Sequence, residues 1–192
     1  MTETKTINRQ PGGSQLDYLD PTKFVFQIAK LPKVQFNTVI ANVPGVTLTE
    51  LNQPTRLHTV KLPGNDLTFE DLTIQFIVDE DMNNYIAVHD WMAGLAQVDS
   101  DDKFRALMSD GQDRMPRSEQ NTKGATNDSA IFSDAKLIVL SNRNIPSIEV
   151  SFQDTYPKSL SAIDFNQQNT DVEYVIATLT LGYKLHTYTR PF

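Results

Sequence analysis

A change of period inside one short stretch constrains this chain more than any other feature. Leu72, Ile74, Phe76 and Val78 alternate with Thr73, Gln75 and Ile77, and alternation of this kind gives a β-strand one apolar face. Asp79, Glu80 and Asp81 interrupt the pattern. Carboxylates suit the start of a helix, where unpaired backbone N–H groups carry partial positive charge. From Asn83 the apolar positions become Tyr85, Val88, Met92 and Leu95, which fall on one helical stripe. Trp91, the single tryptophan, lies beside that stripe. These five side chains are the expected anchors of the helix. The rest of the chain reads mostly as strands, so the helix is the natural plug or lid for a sheet.

Met1 to Thr22 carries Pro11, Gly12, Gly13 and Pro21 and no sustained period, and reads as an N-terminal arm. Residues 23–192 then form one domain. Phe24, Phe26 and Ile28 mark a first strand that ends near Pro32, and Gln35 to Val43 reads as a second. Pro44-Gly45 is turn chemistry. Residues 44–67 form a long excursion with β-like pieces at Val46–Leu51 and Leu57–Leu62, best read as a projecting hairpin. Val46, Leu48, Leu51, Leu57, Val60 and Leu62 give it more apolar surface than a lone hairpin can hide, and such hairpins are marginal in water. It must pack on its own domain or on a partner.

Residues 98–134 mix Asp99, Asp101, Asp102, Asp110 and Asp113 with Lys103, Arg105, Arg114 and Arg117, and are poor in apolar side chains. A loop this long is unusual inside a compact domain, so it reads as an exposed insertion, with one helical turn near Lys103–Met108. Ala135–Asn142 is a short apolar strand suited to a central position. Ile148, Val150 and Phe152 alternate in the next, which ends at Tyr156-Pro157. Leu160 to Phe165 is a further short strand or bridging piece. Val172 to Leu185 reads as the longest strand, roughly 40 Å at ordinary rise, more than a small sandwich needs.

Chemistry is sparse. Cysteine is absent, which removes thiolate nucleophiles, disulfides and Cys-based metal sites. His58, His89 and His186 stand isolated, with no His-Glu-x-x-His pattern, no Gly-x-Ser-x-Gly elbow and no glycine-rich phosphate loop. The Asp79–Asp81 turn lacks the spacing and glycine of a calcium loop, and helix capping is the favoured reading. No catalytic, cofactor or metal site is expected. The formal net charge is −7, which opposes stable binding to phosphates. Met1–Gly13 has no apolar core and no apolar run reaches membrane-spanning length, so no membrane insertion is expected.

The run Phe36-x-x-x-x-Ala41-x-x-Pro44-Gly45, then Pro54, then Gly64-x-x-x-Thr68-Phe69-Glu70-Asp71-Leu72-Thr73-Ile74, then Asp79-Glu80 and a helix bearing Asp90-Trp91, resembles the tail tube proteins of contractile-tailed bacteriophages. Tyr156-Pro157 and the final strand Val172–Tyr183 extend the resemblance, which spans about residues 24–97 and 135–185. The arm and the insertion exceed the family pattern, which leaves open a baseplate tube-initiator or a tube-terminator relative. The same architecture serves the tubes of type VI secretion and phage-like toxin particles.

The resemblance implies a mainly β fold: a tail-tube-like β-sandwich or half-barrel with one flanking α-helix, a projecting β-hairpin and a long insertion loop. It implies hexameric rings joined edge to edge through their sheets and stacked into a tube that conducts DNA. Sheath and baseplate proteins are the implied partners, and the virion the implied location. Inter-subunit or inter-ring contacts are then expected at Val46, Leu48, Leu51, Leu57, Val60 and Leu62. Acidic groups in a lumen would repel phosphates and let DNA slide; Glu149, Asp171 and Glu173 are the candidates.

Overall fold

The computed structural model describes residues 18–97, 102, 104–105, 131–166 and 174–190. The fold is mainly β, with antiparallel pairing throughout. Its elements are β1 (Phe24–Ile28), α1 (Pro32–Phe36), β2 (Thr38–Ala41), β3 (Val46–Pro54), β4 (Thr59–Phe69), β5 (Leu72–Ile77), α2 (Asn83–Ala96), β6 (Ser133–Leu140), β7 (Pro146–Leu160), β8 (Ile176–Gly182) and β9 (Leu185–Thr189).

Strand β7 organises the molecule. Its first half lies between β6 and β9, and its second half pairs with β8. One flank is therefore β1–β6–β7–β9 and the other β7–β8–β5–β2. The strand turns from one to the other at Asp154, whose φ is 55°. There the Asp154 amide donates to Asp134 Oδ1 at 3.3 Å, and the buried Thr155 hydroxyl donates to the Ser133 carbonyl at 2.8 Å. A bend of this kind lets one strand serve two sheets.

Alternation accounts for the core. Leu72, Ile74 and Phe76 of β5 are buried and face Ala177, Leu179 and Leu181 of β8. Phe26, Ile28, Leu137, Val150 and Phe152 supply the opposite flank, and the two sets form one apolar cluster. Helix α2 plugs it with Val88 and Trp91, both buried. Tyr85, Met92 and Leu95 pack only partly against the cluster. The stripe is thus rotated toward Trp91, with Asn84 and Gly94 buried on the same side.

The acidic turn does not cap the helix. Met82 occupies the N-cap in a left-handed conformation, and no acidic side chain lies in the first turn. Asn84 does the local work instead. Its Nδ2 donates to the Ile77 carbonyl at 2.8 Å, and its Oδ1 accepts from the amides of Asp79 at 3.2 Å and Tyr85 at 2.8 Å. The buried amide stitches the end of β5 to the start of α2. Asp79 accepts from the Asn37 side chain.

Several boundaries differ from expectation. Gln35–Val43 is not one strand, because Pro32 opens a one-turn helix whose Leu31 and Val34 bury together, and β2 starts only at Thr38. Proline at the first helical position is pre-set for a helix. A second, short helix therefore stands beside the expected one. The strand from Val172 to Leu185 is not continuous: β8 ends at Gly182 and β9 starts at Leu185 on the other flank. The longest strand is β7, at 15 residues, and it runs through Tyr156-Pro157 instead of stopping there. Pro157 is tolerated at a register shift, where the ladder is already interrupted. Opposite Tyr156 sits Gly182, where a Cβ would come within 2.6 Å of the tyrosine ring. Residues 161–166 are not a strand. Within the expected insertion, β6 begins at Ser133, and Asp102, Phe104 and Arg105 are helical. Most of 98–134 and of the arm 1–22 lies outside the described residues.

Candidate assembly surface

The hairpin is a sheet of its own. Strands β3 and β4 pair with each other and with no further strand among the described residues. Thr55 and His58 close the tip, with the Thr55 amide donating to the His58 carbonyl at 3.0 Å. Leu57 is not in a strand but at that tip, 92% exposed. Val46, Leu48, Leu51 and Leu62 are also exposed, and Val60 is half-buried.

The ladder pairs Val46 with Phe69, Leu48 with Leu67 and Leu51 with Leu62. Register shifts between Leu48 and Glu50, where Pro63-Gly64 and Asn65-Asp66 are absorbed inside β4 instead of forming turns. Gly64 is required there, since a Cβ would meet the Thr49 carbonyl at 2.4 Å. With a period of two along β3, Val46 and Leu48 face one way and Leu51 the other. The arm thus carries apolar pairs on both faces. Glu50 and Lys61 form an exposed ion pair at 2.9 Å, a surface contact worth little on its own.

The hairpin runs past the expected end at residue 67 to Phe69, and the sequence reading did not single out Leu67 or Phe69 among its apolar contacts. Continuing the Thr68-Phe69 alternation backwards to Leu67 carries the signal that finds them. Phe69 roots the arm: its ring stands 5.0 Å from His186 and 6.0 Å from Tyr183. His186 also meets Phe152 and Tyr188, and its Nδ1 lies 3.2 Å from the Tyr183 hydroxyl. Burial lowers the His186 pKa and pushes the Tyr183 phenol up to about 12.

The sheet ends at β1 and β9 on one flank, and at β2 and the second half of β7 on the other. Their outer flanks pair with no strand among the described residues, and an open flank of backbone N–H and C=O groups is a template for another chain.

Similarity to solved structures covers nearly the whole chain. A chain of the anti-feeding prophage cap, a tube-terminating cap, aligns with a TM-score of 0.59 at 12% identity over 96% of this chain and 99% of that one. A chain of the sheath–tube complex of the extracellular contractile injection system PVC aligns with a TM-score of 0.55 at 10% identity over 99% of both chains. A chain of the anti-feeding prophage baseplate aligns with a TM-score of 0.53 at 11% identity, over 87% of this chain and 91% of that one. The chain has a tail-tube-like fold. No protein-family model matches it, and no curated protein sequence matches it.

Against the tail-tube-like fold the acidic candidates separate. Glu149 sits on the outer side of β7, where Lys136 of β6 approaches it at 2.8 Å. That ion pair, with a 3.1 Å hydrogen bond from the Ser151 hydroxyl, lowers the Glu149 pKa. Its charge is largely matched by its neighbour. Asp171 and Glu173 lie outside the described residues. The helix anchors Val88 and Trp91 lie within the core of the fold and not on its surface. Among the described residues no group of three or more His, Asp or Glu side chains is placed to hold a metal ion. None of the described helices is long and apolar enough to cross a membrane.

Proposed function

We propose that this chain is a non-enzymatic structural subunit of a contractile tail tube. Copies close into hexameric rings, the rings stack, and the lumen conducts genomic DNA from a bacteriophage virion into the host. Sheath surrounds the tube and baseplate proteins start it; assembly takes place in the host cytoplasm. The observation that carries this reading is the β3–β4 hairpin, an arm with Val46, Leu48, Leu51, Leu57 and Leu62 exposed to solvent. Burying one such side chain contributes on the order of 1.5–3 kcal/mol. Val46, Leu48, Leu51, Leu57, Val60 and Leu62 are therefore assigned to contacts with a neighbouring copy or the next ring.

Because Lys136 offsets Glu149, repulsion of phosphates falls mainly to other acidic groups, with Asp171 and Glu173 the proposed ones. A second reading places the chain at one end of the tube, as terminator or initiator, or in the tube of a phage-like injection system. The 0.59 TM-score against the cap chain favours it.

Electron microscopy of the purified protein tests both. Stacked rings of six-fold symmetry are expected for the tube subunit, and single rings that do not stack for the end protein. A chain that remains monomeric at high concentration and with its baseplate present overturns the assembly reading. Leu51→Asp with Leu62→Asp is expected to leave rings but abolish their stacking if the tip of the arm contacts the next ring.

A further inference from the structure

We infer that β1 of one copy pairs with β9 of the next, so that the β1–β6–β7–β9 sheet is the one that runs on between subunits. The inference rests on the ring assembly proposed above and names the strands that make it.

Edge strands are normally blunted by charge, proline or a bulge. β1 reads Phe-Val-Phe-Gln-Ile and β9 reads Leu-His-Thr-Tyr-Thr, with no acidic residue, lysine, arginine or proline in either. Their ladders, β1 on β6 and β9 on β7, run without register shifts. The flank formed by β2 is different. Its pairing with β5 shifts between Thr38 and Ile40, and the Asn42 side chain turns back to the Asp71 carbonyl and the Thr73 amide. At the other end of that flank, β7 shifts between Pro157 and Ser159. The second flank is blunted at both ends, and the first at neither.

Backbone direction agrees. The Leu140 amide bonds to the Lys23 carbonyl and the Ala29 amide to the Asp134 carbonyl. In the antiparallel alternation, Val25 and Gln27 then bond inward to β6, and Phe24 and Phe26 turn their amides and carbonyls outward. Carried across β6 and β7 in the observed registers, the same alternation turns His186 and Tyr188 outward on β9. Successive strands are antiparallel, so β1 and β9 run in opposite directions. Rotation about a ring axis preserves strand direction, and β1 meets the next copy's β9 antiparallel. Both strands are five residues long. Tyr188, 60% exposed, would come to rest beside Phe24 and Phe26 of the neighbour, an aromatic cross-strand pairing. Val25 would come to lie beside Thr187 on the opposite face.

The natural chain has no cysteine, which permits a clean cross-linking test on the full chain. Val25→Cys combined with Thr187→Cys is expected to trap a ladder of covalent oligomers when rings are oxidised. Ile40→Cys combined with Ser159→Cys, on the second flank, is expected not to. Tyr188→Pro removes an outward donor without touching the β7–β9 ladder. It is expected to leave the circular dichroism unchanged and abolish rings. Rings that cross-link only through the second flank, or that form normally with Tyr188→Pro, overturn the strand assignment while the ring assembly stands. Absence of rings in the unmodified protein, or β1 and β9 occupied by a different protein in an isolated complex, overturns the assignment together with self-assembly.

Discussion

The ring of Phe69 stands edge-on to His186, 5.0 Å between centroids at an interplanar angle of 73°. Phe69 is the last residue of the hairpin and His186 belongs to the sandwich, so this contact joins the projecting arm to the body. Edge-to-face aromatic pairs contribute about 0.5–1.5 kcal/mol beyond their burial.

That contact is expected to be pH-sensitive. Burial lowers the His186 pKa, so below its ordinary value near 6.5 the unfolded chain takes up the proton first. Stability is full above that value and falls as pH drops through the folded pKa. For Tyr183, raised to about 12, the sign is opposite, and stability is lost as pH rises from 10 toward 12. Urea midpoints across pH are expected to decline on both sides, and His186→Phe is expected to flatten the acid limb. An unchanged acid limb in that variant refutes the assignment.

Asn84→Leu should be costly although it adds apolar surface. It orphans the Ile77 carbonyl and the Asp79 amide at a buried junction. About 2–3 kcal/mol of destabilisation is expected, measured by chemical denaturation of the variant beside the unmodified protein.

Trp91→Ala removes the largest fully buried side chain, 2% exposed. A loss of about 3–5 kcal/mol is expected. Met92→Ala on the half-buried flank of α2 should cost clearly less, and equal costs would place the helix face wrongly.

Gly64→Val tests the arm separately from the core. A Cβ meets the Thr49 carbonyl at 2.4 Å, so the ladder must part there. Hydrogen exchange is expected to rise within Val46–Phe69 while β5 to β8 keep their protection. Stacking of rings is expected to fail.

Lys136→Met leaves Glu149 without the hydrogen bond that chiefly lowers its pKa. The carboxyl should titrate higher by NMR, and stability should change by about 1 kcal/mol for this half-buried pair at the sheet surface.

The strand-to-helix switch at Leu72–Gln97 was legible because local period reports local structure. Leu72, Ile74 and Phe76 are buried where alternation puts them, and Val88 sits on the predicted face. The exposed apolar arm was legible for the same reason, since Val46, Leu48 and Leu51 are too apolar for a free loop. Asn84 was not legible: a polar residue at a helix start reads as a surface group unless the carbonyl of Ile77 is known to lie beneath it. Nor was the break after Gly182, because Val175 to Leu185 keeps its alternation across a corner.

By itself the sequence determined which segments alternate, which one coils, and that apolar surface is left over on the arm, since these follow from spacing and side-chain chemistry along the chain. Only the tertiary structure decided that β7 bends at Asp154 to serve two flanks, and that β1 and β9 end up as the regular outer strands. Register and strand order arise from contacts between residues far apart in the chain, and no local spacing encodes them.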